Sequence, residues 1–395
     1  MVLSGYADLP LHSGHVPRWL AELMKSLARE IIKVLSMEFG SEGLLKRLSN
    51  PLWFQALNNV IGMDWDSSGS TTVTTSIIKH VLNDLNLDVR IAGGKGRTSL
   101  NTPQEVVKYV DELGGSTSLI NELVKYSKLT AKVDSVLLQD GFTLYHHAIA
   151  FDIRGRWVVI QQGMNLENKL ARRYHIAWFT ANAVDEEPHS GISSNQVSKV
   201  LNLTDRESRD CKEVILDLVN ENPKKLVKMM YEVNSVLTGT IPLHSYISLG
   251  VSRPVNEVRL KDRNIPYYKP IRISKSLIAK LERVYEVKPS TIQDMLLISQ
   301  LGSEVVRALS LISELIYKEP PSLRDPVTHP YDPFKYAFAV GGKDGVPFPI
   351  KRELMIAVIK ELEEVIKDAE LGSKEKLVAF RGLNRLISNE STHAI

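Results

Sequence analysis

Three aspartates (Asp134, Asp140, Asp152), three histidines (His146, His147, His175) and a paired amide (Gln161, Gln162) crowd into residues 131–175 of a 395-residue chain. Carboxylates and imidazoles at this density repel or strand one another unless a positive centre lies between them or protons pass among them. Asp134, Asp140, His146, His147 and Gln161 are therefore the candidate catalytic residues. Within that set Asp134, Asp140 and His146 could hold Mg²⁺ or Mn²⁺, which would polarise a phosphate and activate water. The competing reading is structural, since a histidine beside a glutamine on a strand commonly forms a hydrogen-bonded core pair.

A β-hairpin must position these groups. Residues 142–152 are β-branched, aromatic or small, Arg154-Gly155 supplies a two-residue turn, and Trp157, Val158, Val159 and Ile160 return as the second strand. In that register Ile153 pairs with Arg156, His147 faces Gln162 and Ala148 faces Gln161. Tyr145, His147, Ile149 and Phe151 then share a face with Val158, Ile160 and Gln162, while His146, Asp152, Trp157 and Gln161 share the other. The first face is the more apolar, which makes His146 the more available ligand.

Cations suited to phosphate lie on both sides of the hairpin. A strand at 89–92 enters Gly93-Gly94-Lys95-Gly96-Arg97, where glycine lets backbone approach an anion that Lys95 and Arg97 neutralise. The order of residues is not that of a Walker loop. Arg172, Arg173 and His175 follow the hairpin as further phosphate contacts. The hydroxyl-rich stretch 62–72 precedes a helix at 73–85 and reads either as an anion site at a helix N-terminus or as an ordinary cap. Helices are also expected at 17–38, 42–48, 52–60 and 118–126, and a loop holding Glu186, Glu187 and His189 at 186–191.

Composition sets the outer limits. With 43% hydrophobic residues the chain can bury one large core or two to three smaller ones, and a single cysteine, Cys211, leaves no disulfide framework or thiolate zinc site. No apolar run suits a membrane span and residues 1–15 lack the pattern of a signal peptide, so a cytoplasmic protein is expected. A net charge of +3 permits nucleic acid as partner. The expected class is α+β: a mixed α/β domain over 1–195 around the hairpin, a helical segment and basic connector over 196–272, and a helical region over 273–395. In the last, residues 292–309 resemble a helix-hairpin-helix with its turn at Leu301-Gly302, so Gly302 and Arg307 are candidate DNA contacts. That copy has Gln300 where the usual turn has its first glycine. Met355, Ile359, Leu362 and Ile366 form a stripe that either packs internally or pairs two copies in a homodimer.

The segments YADLPLHSGHVPRWL, RLSNPLWFQALNNVIGMDWDSSGSTT, AGGKGRTSLNTPQE, AKVDSVLLQDGFTLYHH, VVIQQGMN, ARRYH, EEPHSGI, VRALSLISELIY and AFAVGGKDGVPFPI resemble, block by block, the archaeal and bacterial proteins grouped as domain of unknown function 763. That resemblance implies cytoplasmic localisation and, through the hairpin-like element, a link to DNA processing. Three functions follow from the residues: a metal-dependent nuclease of DNA repair or recombination, a non-catalytic DNA-binding protein, and a base-excision glycosylase using Asp325 after the helical hairpin. The nuclease is the leading expectation.

Overall fold

The computed structural model describes residues 18–61, 69–194, 197–239, 265–298 and 301–328. The 355–366 stripe, read as packing internally or pairing two copies, and most of the basic connector lie outside these residues. The fold is α+β. A five-stranded antiparallel sheet has the order β1 (Val89–Lys95), β3 (Thr143–Asp152), β4 (Trp157–Asn165), β5 (Leu170–Ala177), β6 (His189–Ser193). Helices α1 (Arg18–Leu48), α2 (Pro51–Val60) and α3 (Gly69–Asp84) cover one face. A break at Gly40, φ 62°, divides α1 into the two helices legible in the sequence.

The other face is covered by α5 (Thr102–Glu112) and α6 (Thr117–Lys132), which follow a single turn, α4 (Arg97–Leu100). The same apolar cluster continues into α7 (Arg209–Val219), α8 (Pro223–Thr238), α9 (Lys275–Val287), α10 (Ile292–Leu297) and α11 (Ser303–Ile312). It runs from Ala92 to Leu315, so one core crosses both of the expected cuts near 195 and 272. A short ladder of β2 (Leu138–Gln139) with β7 (Leu201–Asn202) fastens the segment after the sheet.

Both sheet faces are therefore interior. Val89, Ile91, Ala148, Ala150, Val158, Ile160 and Ala177 pack toward α1–α3. Ala92, Ile149, Phe151, Trp157, Val159 and Ile176 pack toward α5 and α6. Strands buried on both sides lose the apolar-polar alternation of a half-exposed sheet. That is why β5, with Arg172, Arg173 and His175, reads as a basic segment when it is a central strand.

The hairpin register differs from expectation by one residue. Asp152 N–H donates to Arg156 O at 3.0 Å, and the Asp152 carboxylate accepts from Arg154 N at 3.0 Å and Arg156 N at 3.1 Å. The loop thus holds three residues, 153–155, with Gly155 at φ 79°, a common geometry for such loops. The pairs become Phe151 with Trp157, Ala148 with Ile160, His147 with Gln161 and His146 with Gln162. Because side chains alternate, a slip of one changes which residues share a face. His147 joins Gln161 on the α6 side and His146 joins Gln162 on the α3 side. His146 is not the more available of the two: it is 1% exposed and His147 8%.

Two glycines test this arrangement. Gly155, with nothing nearer an added Cβ than 3.6 Å, should tolerate alanine at a cost of about 1–2 kcal/mol from its positive φ alone. Gly93 also has positive φ, but an added Cβ would lie 2.3 Å from His147 O and 2.6 Å from Thr102 Oγ1. Gly93→Ala should therefore cost a further ~1–3 kcal/mol of overpacking. Urea-unfolding midpoints of the two variants check the order.

Candidate functional site

Helix α6 begins at Ser116, whose hydroxyl accepts from Leu119 N, and buries Leu119, Leu123, Ser127, Leu129 and Thr130. Its last turn widens into a π-turn, Val133–Leu137, that sends Asp134 inward; π-turns of this kind recur where a helix must re-aim a functional side chain. Opposite it, β3 presents His147, β4 presents Gln161 and β6 presents His189. The result is a continuous buried chain. Ser127 Oγ lies 2.8 Å from His147 Nε2, His147 Nδ1 lies 2.8 Å from Gln161 Oε1, and Gln161 Nε2 donates to Asp134 Oδ2 at 2.5 Å. Asp134 Oδ1 in turn lies 2.6 Å from His189 Nε2.

Proton positions in this chain follow from Gln161. Its Nε2 faces the Thr130 carbonyl at 3.2 Å as well as Asp134. A carbonyl can only accept, so the amide nitrogen must point there and Oε1 must point at His147. His147 Nδ1 then carries the proton and donates to Gln161. Nε2 is left with a lone pair, and the Ser127 hydroxyl donates to it. Burial lowers the pKa of His147, while the Gln161 bond and the charge of Asp134 act to raise it. The imidazole is thus a neutral base with a hydroxyl at its free nitrogen, oriented as in a nucleophile–base pair whose orienting carboxylate acts through an amide.

A second buried cluster adjoins the first. The Tyr174 ring, centred 6.2 Å from that of His189, donates its hydroxyl to Asp140 Oδ2 at 2.7 Å. Arg172 donates to Asp140 at 2.9 Å and to both oxygens of Asp325 at 3.1 and 3.0 Å. Burial pushes the Asp140 carboxyl above the usual range, opposed by Arg172, the Tyr174 hydroxyl and the Phe142 N–H. Burial also works against the Arg172 charge, but Asp140, Tyr174 and Asp325 outweigh it and keep the guanidinium protonated.

The remaining expected residues fall elsewhere. Arg173 is fully buried on the α3 side, with its guanidinium on Gln55 Oε1 at 3.1 Å and Pro51 O at 3.3 Å. His175 Nδ1 lies 2.9 Å from Leu48 O. Neither they nor Arg172 reach the surface, whereas Lys95 and Arg97 are exposed. At the helical hairpin, Gly302 caps α11, the Leu301 carbonyl accepts from Lys132 Nζ at 2.6 Å, and Arg307 is held by the carbonyls of Tyr267 and Lys269 at 3.0 and 2.6 Å. Asp325, the aspartate of the glycosylase reading, is the buried partner of Arg172.

The sheet thus brings Asp134, His147 and Gln161 together, sets Asp140 in the adjoining cluster, and puts His146 on the opposite face. Asp134, Asp140 and His146 do not form one ligand set, because alternation sends His146 away from the other two. Among the described residues no group of three or more His, Cys, Asp or Glu is arranged to hold a metal ion. Ser127 and Tyr174 complete the chains without any local signal, and His189 sits on a strand where a loop was expected.

A family model described as protein of unknown function (DUF763) matches residues 5–350. No curated protein and no solved structure matches the chain. Among the described residues no helix is long and apolar enough to cross a membrane.

Burial of two neutral histidines makes stability depend on pH. His146 is held down to about 3 from an ordinary 6.5, by burial first and then by the neighbouring His147 imidazole and the Lys95 ammonium. The unfolded chain binds protons below 6.5 that the folded chain refuses, so stability is full above pH 7 and falls with acidification. The expected slope reaches about 1.4 kcal/mol per pH unit for His146, with His147 acting in the same direction. Urea unfolding at pH 8, 6 and 5 should show it, with roughly one proton's worth removed in His146→Leu.

Proposed function

The chain belongs to the DUF763 family, and from the geometry of its buried polar chain we propose that it is a DNA-processing hydrolase that cleaves phosphodiester bonds. The observation that carries this reading is the His147 imidazole, fixed as the Nδ1–H tautomer by Gln161 and aimed through Nε2 at the Ser127 hydroxyl. In the first step Ser127 Oγ gives its proton to His147 and bonds to phosphorus. The phosphorus–oxygen bond to the leaving nucleotide breaks, and that oxygen takes the proton from His147. Water then gives a proton to His147 and bonds to phosphorus, the phosphorus–Oγ bond breaks, and Ser127 Oγ takes the proton back from His147. Asp134 stabilises the transient imidazolium through the Gln161 amide.

Substrate binding is supported by the outer side of the same helix. A groove of about 620 Å³ between α5, α6 and α10 is lined by Lys125 and Lys128, with Val107, Val124 and Leu297 as its apolar part. Lys125 and Lys128 are exposed on the outer side of α6, whose inner side carries Ser127. Of the Mg²⁺ or Mn²⁺ site expected from sequence, Asp134 is engaged by Gln161 and His189, and Asp140 by Arg172. With these bonds in place, and with His146 on the opposite face, the residues do not fit a metal centre.

One observation favours a second reading, a protein that grips DNA without cutting it. Ser127, Asp134 and Gln161 are each under 5% exposed and hydrogen-bonded, as in a structural core. Labelled single-stranded, duplex and branched DNA, incubated with EDTA or with added Mn²⁺, separates the two. Cleavage that survives EDTA is expected, with Ser127→Ala and His147→Ala losing about 10²–10⁴-fold while circular dichroism and DNA retention persist. Retention without cutting would leave the binding reading, and cutting abolished by EDTA would return catalysis to a metal.

A further inference from the structure

On the α3 side of the sheet, His146 is 1% exposed and neither ring nitrogen has a hydrogen-bond partner among the described residues. A buried imidazole in that condition forgoes two hydrogen bonds, a cost of about 1–3 kcal/mol for each unsatisfied group. Ser70, in the first turn of α3, is also fully buried with its hydroxyl unpartnered among the described residues. The two belong to one end of the sheet. His146 is the strand partner of Gln162, and the Gln162 amide bonds both Thr71 in the first turn of α3 and Tyr145 next to His146. On its other side the strand partner of His146 is Lys95, and paired residues project from the same face.

The charge that bears on His146 at neutral pH is the positive one of Lys95. Helix α3 is sixteen residues long and has no acidic residue in its first turn, which brings backbone N–H groups and the positive end of the helix dipole to this place.

We infer that Ser70, His146, Lys95 and the N-terminus of α3 form a binding site for a phosphate that carries a proton, that is, inorganic phosphate or a terminal phosphate monoester. Helix amides, Ser70 and Lys95 donate to the phosphoryl oxygens. A neutral imidazole has one N–H to donate and one lone pair to fill. A phosphate bearing P–OH satisfies both, whereas an internal diester has no proton to give. The inference rests on the α3 face alone and is independent of the reaction assigned to the α6 face.

The test uses the full chain and titrates inorganic phosphate, a 5′-phosphorylated thymidine dinucleotide and the same dinucleotide without the terminal phosphate. Binding is followed by calorimetry and by the ring nitrogen resonances of His146. Saturable binding of inorganic phosphate or of the phosphorylated dinucleotide, with a shift at His146 and at least tenfold weakening in Ser70→Ala and in Lys95→Ala, is the expected result. Lys95 is exposed, so its variant keeps the readout even if His146 substitutions unfold the protein. Preference between the two phosphates identifies the source of the ligand. The inference is overturned by no binding at millimolar phosphate, by equal binding of the dinucleotide lacking the terminal phosphate, or by binding that leaves His146 unmoved.

Discussion

A primary amide with two obligate acceptors at its nitrogen end cannot turn round. Gln161 faces the Thr130 carbonyl and the Asp134 carboxylate, and everything in the polar chain on that side of the sheet is ordered by this constraint. The π-turn after α6 brings Asp134 within reach. The three-residue hairpin loop brings His147 opposite Gln161 and not Gln162. Had the loop been two residues long, His147 would face Gln162, and the imidazole and Gln161 would lie on opposite faces.

The sheet that carries the chain is unusual in burying arginine on both faces. Arg172 meets two carboxylates on one side, and Arg173 meets a glutamine and a carbonyl on the other. Their partners come from distant sequence: Asp325 from the end of the helical region, Gln55 from α2. A buried charge is tolerated when paired, and removal of one partner typically costs several kcal/mol, about 3–5. These pairs therefore fasten the segment after α11 and helix α2 to the same two neighbouring positions of β5. The arginines are fasteners of the interior, whereas Lys95, Arg97, Lys125 and Lys128 are among the cations exposed on the surface.

What the sequence made legible follows from range. Helices with clear apolar spacing, the hairpin strands, the break near Gly40 and the clustering of Asp134, His147 and Gln161 all rest on local pattern. The one-residue register was hidden because two-residue and three-residue loops both accept Arg154-Gly155, and only the Asp152 side chain, bonding Arg154 and Arg156, selects the longer. Strands β5 and β6 were hidden because burial on both faces removes alternation. Ser127, in the middle of an amphipathic helix, carries no mark that distinguishes it from any other small polar residue; its place beside His147 is set by how α6 crosses the sheet. Asp140 and His146 belonged to the cluster in sequence but not in space, since an ion pair with Arg172 holds Asp140 in the adjoining cluster and alternation puts His146 on the opposite face.

The tautomer of His147 is the most direct test of the central claim. In protein carrying ¹⁵N-labelled histidine, two-bond ¹⁵N–¹H correlation distinguishes a protonated from a bare ring nitrogen. The expected result is a single neutral form at pH 7, protonated at Nδ1 and bare at Nε2, that is lost in Gln161→Leu. A ring protonated at Nε2, or one already doubly protonated at pH 7, would contradict the arrangement of protons on which the chain from Ser127 to Asp134 depends.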